Sequence, residues 1–315
     1  MRPDLLALAI PTYNRPEILH DNLRGMLPEI QRLGVPVYIS DDSPGNETEV
    51  MVAALRQRYE RIYYRRNTPG LGHDLNFVAT IQLPESDYIW YLGDSIVIDA
   101  GALEKVHTAL STFHPDLLFV NSESRCVDNS DCCVPDLRVY LQRSAWHLTL
   151  TGATVYSREA VLSVRERDVA RWKNFPQLGL IFQFGLAENR MAYWMGSCGV
   201  SSNRNKKSYW TNAVVTTFAV DWVNLLRNFA AAYTAAQLRE IFLSHSLKTD
   251  TFAARNIVIY RLNNGFPFKL VWKYRNQLKL ASHTPYPVLV LISLLPVAAW
   301  RWVKRCLRYI KHARA

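Results

Sequence analysis

Three aspartates in the first hundred residues stand where carboxylates could do chemistry: Asp41 and Asp42, directly after the apolar run 35–40, and Asp94, after the run 88–92. A carboxylate at the end of a buried strand is costly unless something uses it. In open α/β sheets ligands sit outside the carboxyl ends of the strands, which is where all three would face. The bland alternative is that each Asp turns the chain, as in Asp41-Asp42-Ser43-Pro44-Gly45. Cationic groups that could meet an anion are Arg65 and Arg66, and Arg204, Lys206 and Lys207 in the polar stretch 201–209, which has the composition of a mobile loop. Gly70-Leu71-Gly72 lacks the third glycine of a dinucleotide fingerprint. The five cysteines are odd in number and show no paired C-x-x-C spacing, against zinc and against a disulfide framework.

The elements that must carry these residues follow from hydrophobic period. Residues 5–10 read as a buried strand. A helix over 17–33 presents Ile18, Leu19, Leu23, Met26, Leu27, Ile30 and Leu33 on one face. A strand at 35–40, a helix at 47–59, an extended run at 61–65, a loop at 67–72 and a helix at 73–83 precede the strand that opens at Tyr88. The order βαβαβαβ predicts a parallel sheet covered by helices, with ligand groups in the loops at the strand ends. Beyond it the pattern predicts a helix at 101–112, a strand at 117–121, a long loop or strand excursion over 122–138 and a strand at 148–156. A helix at 177–188, a strand at 193–200 and helices over 212–247 and 249–263 follow.

Charge is distributed unevenly. The net charge is +10, yet residues 251–315 hold twelve Lys and Arg and no Asp or Glu, leaving 25 basic against 27 acidic residues before them. Such a basic appendix predicts an anionic partner. Residues 287–303 are nearly uncharged, but about 17 residues make roughly 25 Å of helix, short of a comfortable span, and Pro296 interrupts them. Arg301, Lys304, Arg305, Arg308 and Lys311 then recur at helical spacing opposite Trp300, Val303, Leu307 and Ile310, the make-up of an interfacial helix. No nucleic-acid motif is visible, and nucleic acid is not expected as a partner. The cysteine usage and the lack of a signal-peptide pattern fit a reducing, cytoplasmic compartment.

The segments Ala9-Ile10-Pro11-Thr12-Tyr13-Asn14-Arg15, Ser40-Asp41-Asp42-Ser43, Asn67-Thr68-Pro69-Gly70-Leu71-Gly72-His73-Asp74-Leu75-Asn76, Leu92-Gly93-Asp94 and Gly101-Ala102-Leu103 stand in an order that resembles the inverting family 2 glycosyltransferases of GT-A fold. The flavour is that of abequosyltransferase-like enzymes that add sugars to O-antigen or capsule precursors. The resemblance implies an α/β, Rossmann-like, mostly parallel sheet flanked by helices, to which the helical patterns after residue 212 add a helical C-terminal extension. Together with the hydrophobic and charge patterns it divides the chain into a GT-A domain over 1–205 (a nucleotide-sugar half, 1–120, and an acceptor half, 121–205), a helical extension over 206–284 and a membrane-associating amphipathic tail over 285–315, the last two read from the patterns alone. It assigns donor binding to Pro11, Thr12, Asp41, Asp42, Gly72, Asn76 and Asp94; beside it, the chemistry of a leaving diphosphate adds Arg66, Lys206 and Lys207 as cations. Asp41 and Asp42 would hold the nucleotide base and ribose.

Two positions depart from the family. Where it presents carboxylates for Mg²⁺ or Mn²⁺, this chain reads Asp94-Ser95-Ile96, so Asp94 alone remains and holds a hard cation weakly. Weak or absent metal dependence is therefore expected, with the 201–209 loop closing over the diphosphate. Where the family supplies a general base, the chain reads Phe175-Pro176-Gln177. The carboxylates and imidazole considered instead are Asp168, which is favoured, Glu188 and His147, with Trp146 and Trp172 able to stack on a sugar. The expected activity is inverting transfer of a sugar from a nucleotide-diphosphate donor to a polyprenyl-diphosphate-linked glycan acceptor, by a peripheral enzyme at the cytoplasmic face of a bacterial inner membrane. The alternative is a catalytically inactive GT-A-like scaffold at that membrane.

Overall fold

The computed structural model describes residues 4–127, 129–203 and 212–296. The chain forms two compact units, Met1–Lys206 and Lys207–Ala315. The first begins with β1 (Leu6–Thr12), α1 (Pro16–Leu33), β2 (Val37–Asp41), α2 (Glu47–Arg56), β3 (Ile62–Arg66), α3 (His73–Ile81) and β4 (Tyr88–Tyr91), the expected alternation. Pro16 starts α1 without losing a bonded N–H, and Gly34 ends it in the left-handed region (φ 65°). Between them Leu19, Leu23, Met26, Leu27 and Ile30 are buried, one stripe of an amphipathic helix. Each buried side chain of that size stabilises the unit by roughly 1.5–3 kcal/mol.

The unit continues through β5 (Ile96–Ile98), α4 (Ala102–Phe113), β6 (Leu117–Val120), β7 (Asp131–Val134), α5 (Leu137–Ser144), β8 (Thr154–Ser157), α6 (Arg158–Ser163), α7 (Glu166–Val169), α8 (Pro176–Gly185), β9 (Ala192–Met195) and β10 (Val200–Ser202). Eight strands form one sheet in the order β3-β2-β1-β4-β8-β6-β9-β7, and β10 pairs with β5 in a second, two-stranded sheet. Ladders β3–β2, β2–β1, β1–β4 and β6–β9 are parallel, while β8 runs against both its neighbours. The strand order reverses at β1: the chain moves one way to β2 and β3, then returns to β4 on the other side. That is a topological switch point, and the crevice outside the carboxyl ends of β1 and β4 is where such a sheet takes a ligand.

The structure corrects several expected boundaries. The strand expected over 148–156 begins only at Thr154, because Gly152 turns the chain in a left-handed conformation (φ 91°) whose carbonyl accepts from Trp90 Nε1 (2.8 Å). The stretch 122–138 contains the edge strand β7, in keeping with the strand excursion expected there as one alternative, while 193–200 splits into β9 and part of β10, which belong to different sheets. In the second unit the helix expected over 212–247 is interrupted. A π-helical turn (Thr216–Asp221) leads into α9 (Trp222–Arg227), and α10 (Ala235–Thr249) starts afresh at a capping box in which Thr234 and Gln237 exchange hydrogen bonds. Then come α11 (Ala254–Leu262), α12 (Phe268–Lys273), α13 (Arg275–Ala281) and α14 (Tyr286–Leu294). The last of these stops before Pro296, as a proline restricts its predecessor to extended backbone. The rest of the tail, with Trp300 and Arg301, lies outside the described residues. Among the described residues no helix is long and apolar enough to cross a membrane.

Candidate active site

The crevice at the switch point is built from the ends of β1, β2 and β4. Thr12 closes β1 and its carbonyl accepts the Asp42 N–H (3.0 Å), while the Asn14 N–H donates to Ser43 Oγ (2.8 Å), so the loops after β1 and β2 run tied together. Across from them stands Asp94. Its Oδ1 takes a hydrogen bond and ion pair from Arg15 (3.1 Å), its Oδ2 faces the Thr12 hydroxyl (3.4 Å), and its carbonyl is held by Asn22 Nδ2 (2.8 Å). Arg15 was not among the expected site residues. It stands three residues beyond the end of β1 and 79 from its partner, so only the β1–β4 pairing reveals the contact. Tyr13, the residue between them in this loop that is 60% exposed, presents its ring to solvent at the same edge. Pro11, half-buried, lies within β1 behind them.

The two aspartates after β2 do different things. Asp41 is fully buried; its Oδ1 accepts from the Ser43 N–H and hydroxyl and its Oδ2 from the Tyr64 hydroxyl (2.9 Å). Burial, and then the bond to Asp41, push the Tyr64 phenol up to about 12. Asp41 therefore builds the floor beneath the crevice, not its lining. Asp42 instead staples the 67–72 loop: Oδ1 accepts from Asn67 Nδ2 (2.7 Å) and the Leu71 N–H (3.2 Å), and Oδ2 from the Gly72 N–H (2.7 Å). Gly72 has φ 79°, a conformation that favours glycine, and it precedes α3. Asn76, nearly buried, accepts from Ser40 Oγ (2.7 Å) and Asn67 Nδ2 (3.1 Å) and so locks the same loop from within. Arg66 is engaged by Glu49 in a surface ion pair. Lys206 and Lys207 lie outside the described residues. The strand leading to them is anchored at the crevice, since Asn203 donates to Asn22 (2.8 Å) and to the Ser95 carbonyl (2.8 Å).

On the other half of the unit, Asp168 is locally committed. Its Oδ2 accepts the Arg165 N–H (3.1 Å) as a capping box of α7, and its Oδ1 pairs with Arg171 (2.6 Å). His147 has no exposed surface. Burial lowers its imidazole to about 4, a bond to the Val120 carbonyl (2.9 Å) opposes that, and nearby Arg125 adds to it. No acceptor hydroxyl can reach such a group. Glu188 is exposed beyond the far end of α8. Trp146 and Trp172 are core residues, the latter wedged against Gly179, so the expected sugar stacking is not available to them. One carboxylate the sequence reading passed over does arrive at the head of α8. Asp74, on the first turn of α3, accepts the Asn174 N–H with both oxygens (3.2 and 3.2 Å) and meets His73 Nδ1 at 2.7 Å. Gln177, on the first turn of α8, donates to the Thr149 carbonyl (3.1 Å).

The donor set at Asp94 does not suit a hard divalent cation, which wants six or more oxygens. Asp94 is already paired with Arg15, Ser95 is buried, and Ile96 carries no donor atom and enters β5. The next carboxylate along, Asp99, is held by Ser201 Oγ. Among the described residues no three His, Cys, Asp or Glu side chains are placed to hold a metal ion.

Residues 7–146 match the family described as glycosyl transferase family 2. Over 124 residues the chain is 33% identical to the abequosyltransferase RfbV of Salmonella typhimurium, a match that spans 39% of this chain and 37% of that protein. Thus the chain spans well under half the length of that curated relative. Among solved structures, residues 1–349 of S. aureus TarS in complex with UDP-GlcNAc superpose with a TM-score of 0.57 at 13% identity, covering 96% of this chain and 91% of that one. The mannosyltransferase PcManGT from Pyrobaculum calidifontis, in complex with GDP-Man and Mn²⁺, gives 0.57 at 12% identity, with 96% and 89% covered. At such identities these likenesses concern the fold, which is the GT-A architecture of a mostly parallel sheet flanked by helices.

Proposed function

With residues 7–146 forming a glycosyl transferase family 2 domain, we propose that the chain is a glycosyltransferase that takes its sugar from a nucleotide-diphosphate donor bound across the β1–β4 crevice. The single observation that carries this reading is the convergence of Thr12, Arg15, Asp42 and Asp94 at the sheet's switch point. The exposed Tyr13 ring and the loop stapled by Asp42 suit a nucleoside, and the Arg15–Asp94 pair lies where the diphosphate would follow. The abequosyltransferase likeness favours a deoxyhexosyl or hexosyl donor and an O-antigen-type acceptor.

Transfer proceeds in one displacement with inversion. The acceptor hydroxyl oxygen bonds to the anomeric carbon, the bond from that carbon to the diphosphate breaks, and its electron pair stays on the diphosphate. The hydroxyl proton passes to a base, for which the His73–Asp74 pair beside the head of α8 is our candidate in place of Asp168. We assign the acceptor to lipid-linked glycans and the enzyme to the cytoplasmic face of a bacterial inner membrane. The acid-free, basic end of the chain supports this, as do Trp272, Leu291 and Leu294, all more than half exposed in the second unit. A second reading, a binding protein without turnover, is favoured by the lack of an acid on the first turn of α8. Thermal stabilisation by a panel of nucleotide sugars, followed by hydrolysis and transfer assays on each hit, separates the two. Stabilisation with turnover supports the enzyme; stabilisation without it supports the scaffold; no stabilisation refutes the donor site.

A further inference from the structure

We propose that Arg15 is the built-in cation of this donor site, held by Asp94 in the place where related enzymes put a divalent metal, so that nucleoside diphosphates bind without metal. The inference rests on the donor-site reading above and adds to it the identity of the group that meets the diphosphate. Three observations carry it. The carboxylate that would ligate a metal is instead in an ion pair with Arg15 at 3.1 Å, and its second oxygen faces Thr12. Neither Ser95 nor Ile96 can complete a coordination shell. And the Arg15 side chain is 28% exposed against 10% for Asp94, so of the two charges the cation is the more accessible to a ligand.

The chemistry is coherent. A guanidinium offers five N–H donors in a planar fork that matches phosphate oxygens bidentately. Only one of the five is committed to Asp94 among the described residues. Asp94 then acts as a positioning residue: it holds the guanidinium at the crevice through one Nη1 donor and leaves the others of the fork for a ligand. When the glycosidic bond breaks, the charge left on the diphosphate develops against a group already in place. A carboxylate left alone in that position would repel the diphosphate instead.

Calorimetric titration of the full chain with UDP, GDP, CDP and dTDP, in EDTA and in Mn²⁺, tests this. At least one nucleotide should bind in EDTA with affinity within about threefold of that in Mn²⁺. Arg15→Ala should weaken that binding about tenfold or more, and Arg15→Lys, which keeps the charge and loses the fork, by less. Asp94→Asn should weaken it too, and the double variant should be no worse than Arg15→Ala alone, because the two act as one unit. Arg32→Ala, which removes an exposed arginine of α1 that pairs with Glu104 of α4, is the control, and unfolding midpoints of all variants guard against misfolding. Binding that needs Mn²⁺, or an Arg15→Ala variant that binds as well as the parent in EDTA, overturns the inference while leaving the donor site standing. Failure of every nucleotide in both buffers refutes the donor site and the inference with it.

Discussion

Replacing Asp42 by Asn isolates what its charge does. Both carboxylate oxygens accept: Oδ1 from Asn67 and the Leu71 N–H, Oδ2 from the Gly72 N–H. An Asn amide has one oxygen and one NH₂, so either orientation aims a donor at a donor. If the NH₂ faces Gly72, one short bond of 2.7 Å is lost; if it faces Asn67 and Leu71, two are lost. Bonds to a charged acceptor contribute about 1.5–3 kcal/mol each, and an orphaned donor costs about 1–3 kcal/mol, reduced where water reaches it. The loop amides are partly exposed, so a destabilisation of roughly 1–3 kcal/mol is expected, concentrated in residues 67–76. Amide hydrogen exchange at Leu71 and Gly72, with urea unfolding alongside, reads both the location and the size. Asp42→Ala should lose somewhat more, since Asn67 keeps Ser40 and Asn76 as partners while the two backbone donors keep none of those seen here. Unchanged exchange at 71 and 72, with stability within about 0.5 kcal/mol of the parent, would mean that the carboxylate is not what holds the loop.

Acid should weaken the first unit through His147. Its folded-state pKa, about 4, lies below the ordinary 6.5, so stability is full above about pH 6.5 and falls as pH drops towards 4, by up to roughly 3 kcal/mol. His147→Gln should flatten that part of the stability–pH curve, and parallel curves would sink the idea. At Gly179 an added Cβ would come within 2.1 Å of the buried Trp172 ring, so Gly179→Ala should lower the unfolding midpoint despite alanine's better helix propensity, at a cost of about 1–3 kcal/mol. An unchanged midpoint would show that the ring has room to move. Removing residues 297–315 takes away Arg301, Lys304, Arg305, Arg308, Lys311 and Arg314, each contributing about 1 kcal/mol near anionic lipid, and should sharply reduce pelleting with anionic vesicles. Pelleting equal to that of the full chain would refute the membrane role of the tail.

Much of the first half was legible because its signals are local. The apolar runs ending at Thr12, Asp41 and Tyr91 and the one-face stripe of α1 set each element, and the alternation of strand and helix set the parallel order. Beyond β6 the local signals conflict with tertiary ones. The run 148–156 is apolar enough for a strand, yet its first residues turn at Gly152 so that the carbonyl can meet Trp90, a partner no local pattern names. Similarly, two of the residues weighed as catalytic, Asp168 and His147, look chemically able in the sequence and are committed or enclosed in the fold. Residue type says what a side chain could do; burial and partners decide whether it is available.

Asp94 shows the same limit from the other side. The sequence presents it as what remains of a metal site, with two carboxylates missing, and from that vantage the obvious inference is a weakened function. The fold supplies Arg15, which belongs to a different loop and enters only because β1 and β4 are neighbours. Two unit charges 4 Å apart interact by about 4 kcal/mol at an effective dielectric constant near 20, so a diphosphate beside an uncompensated carboxylate would be strongly disfavoured. If the proposed donor diphosphate sits there, the chemistry requires a cation beside it, whichever kind supplies it. The absence of carboxylates at Ser95 and Ile96 and the presence of a guanidinium on Asp94 are then one feature of the site, not a loss beside an unrelated ion pair.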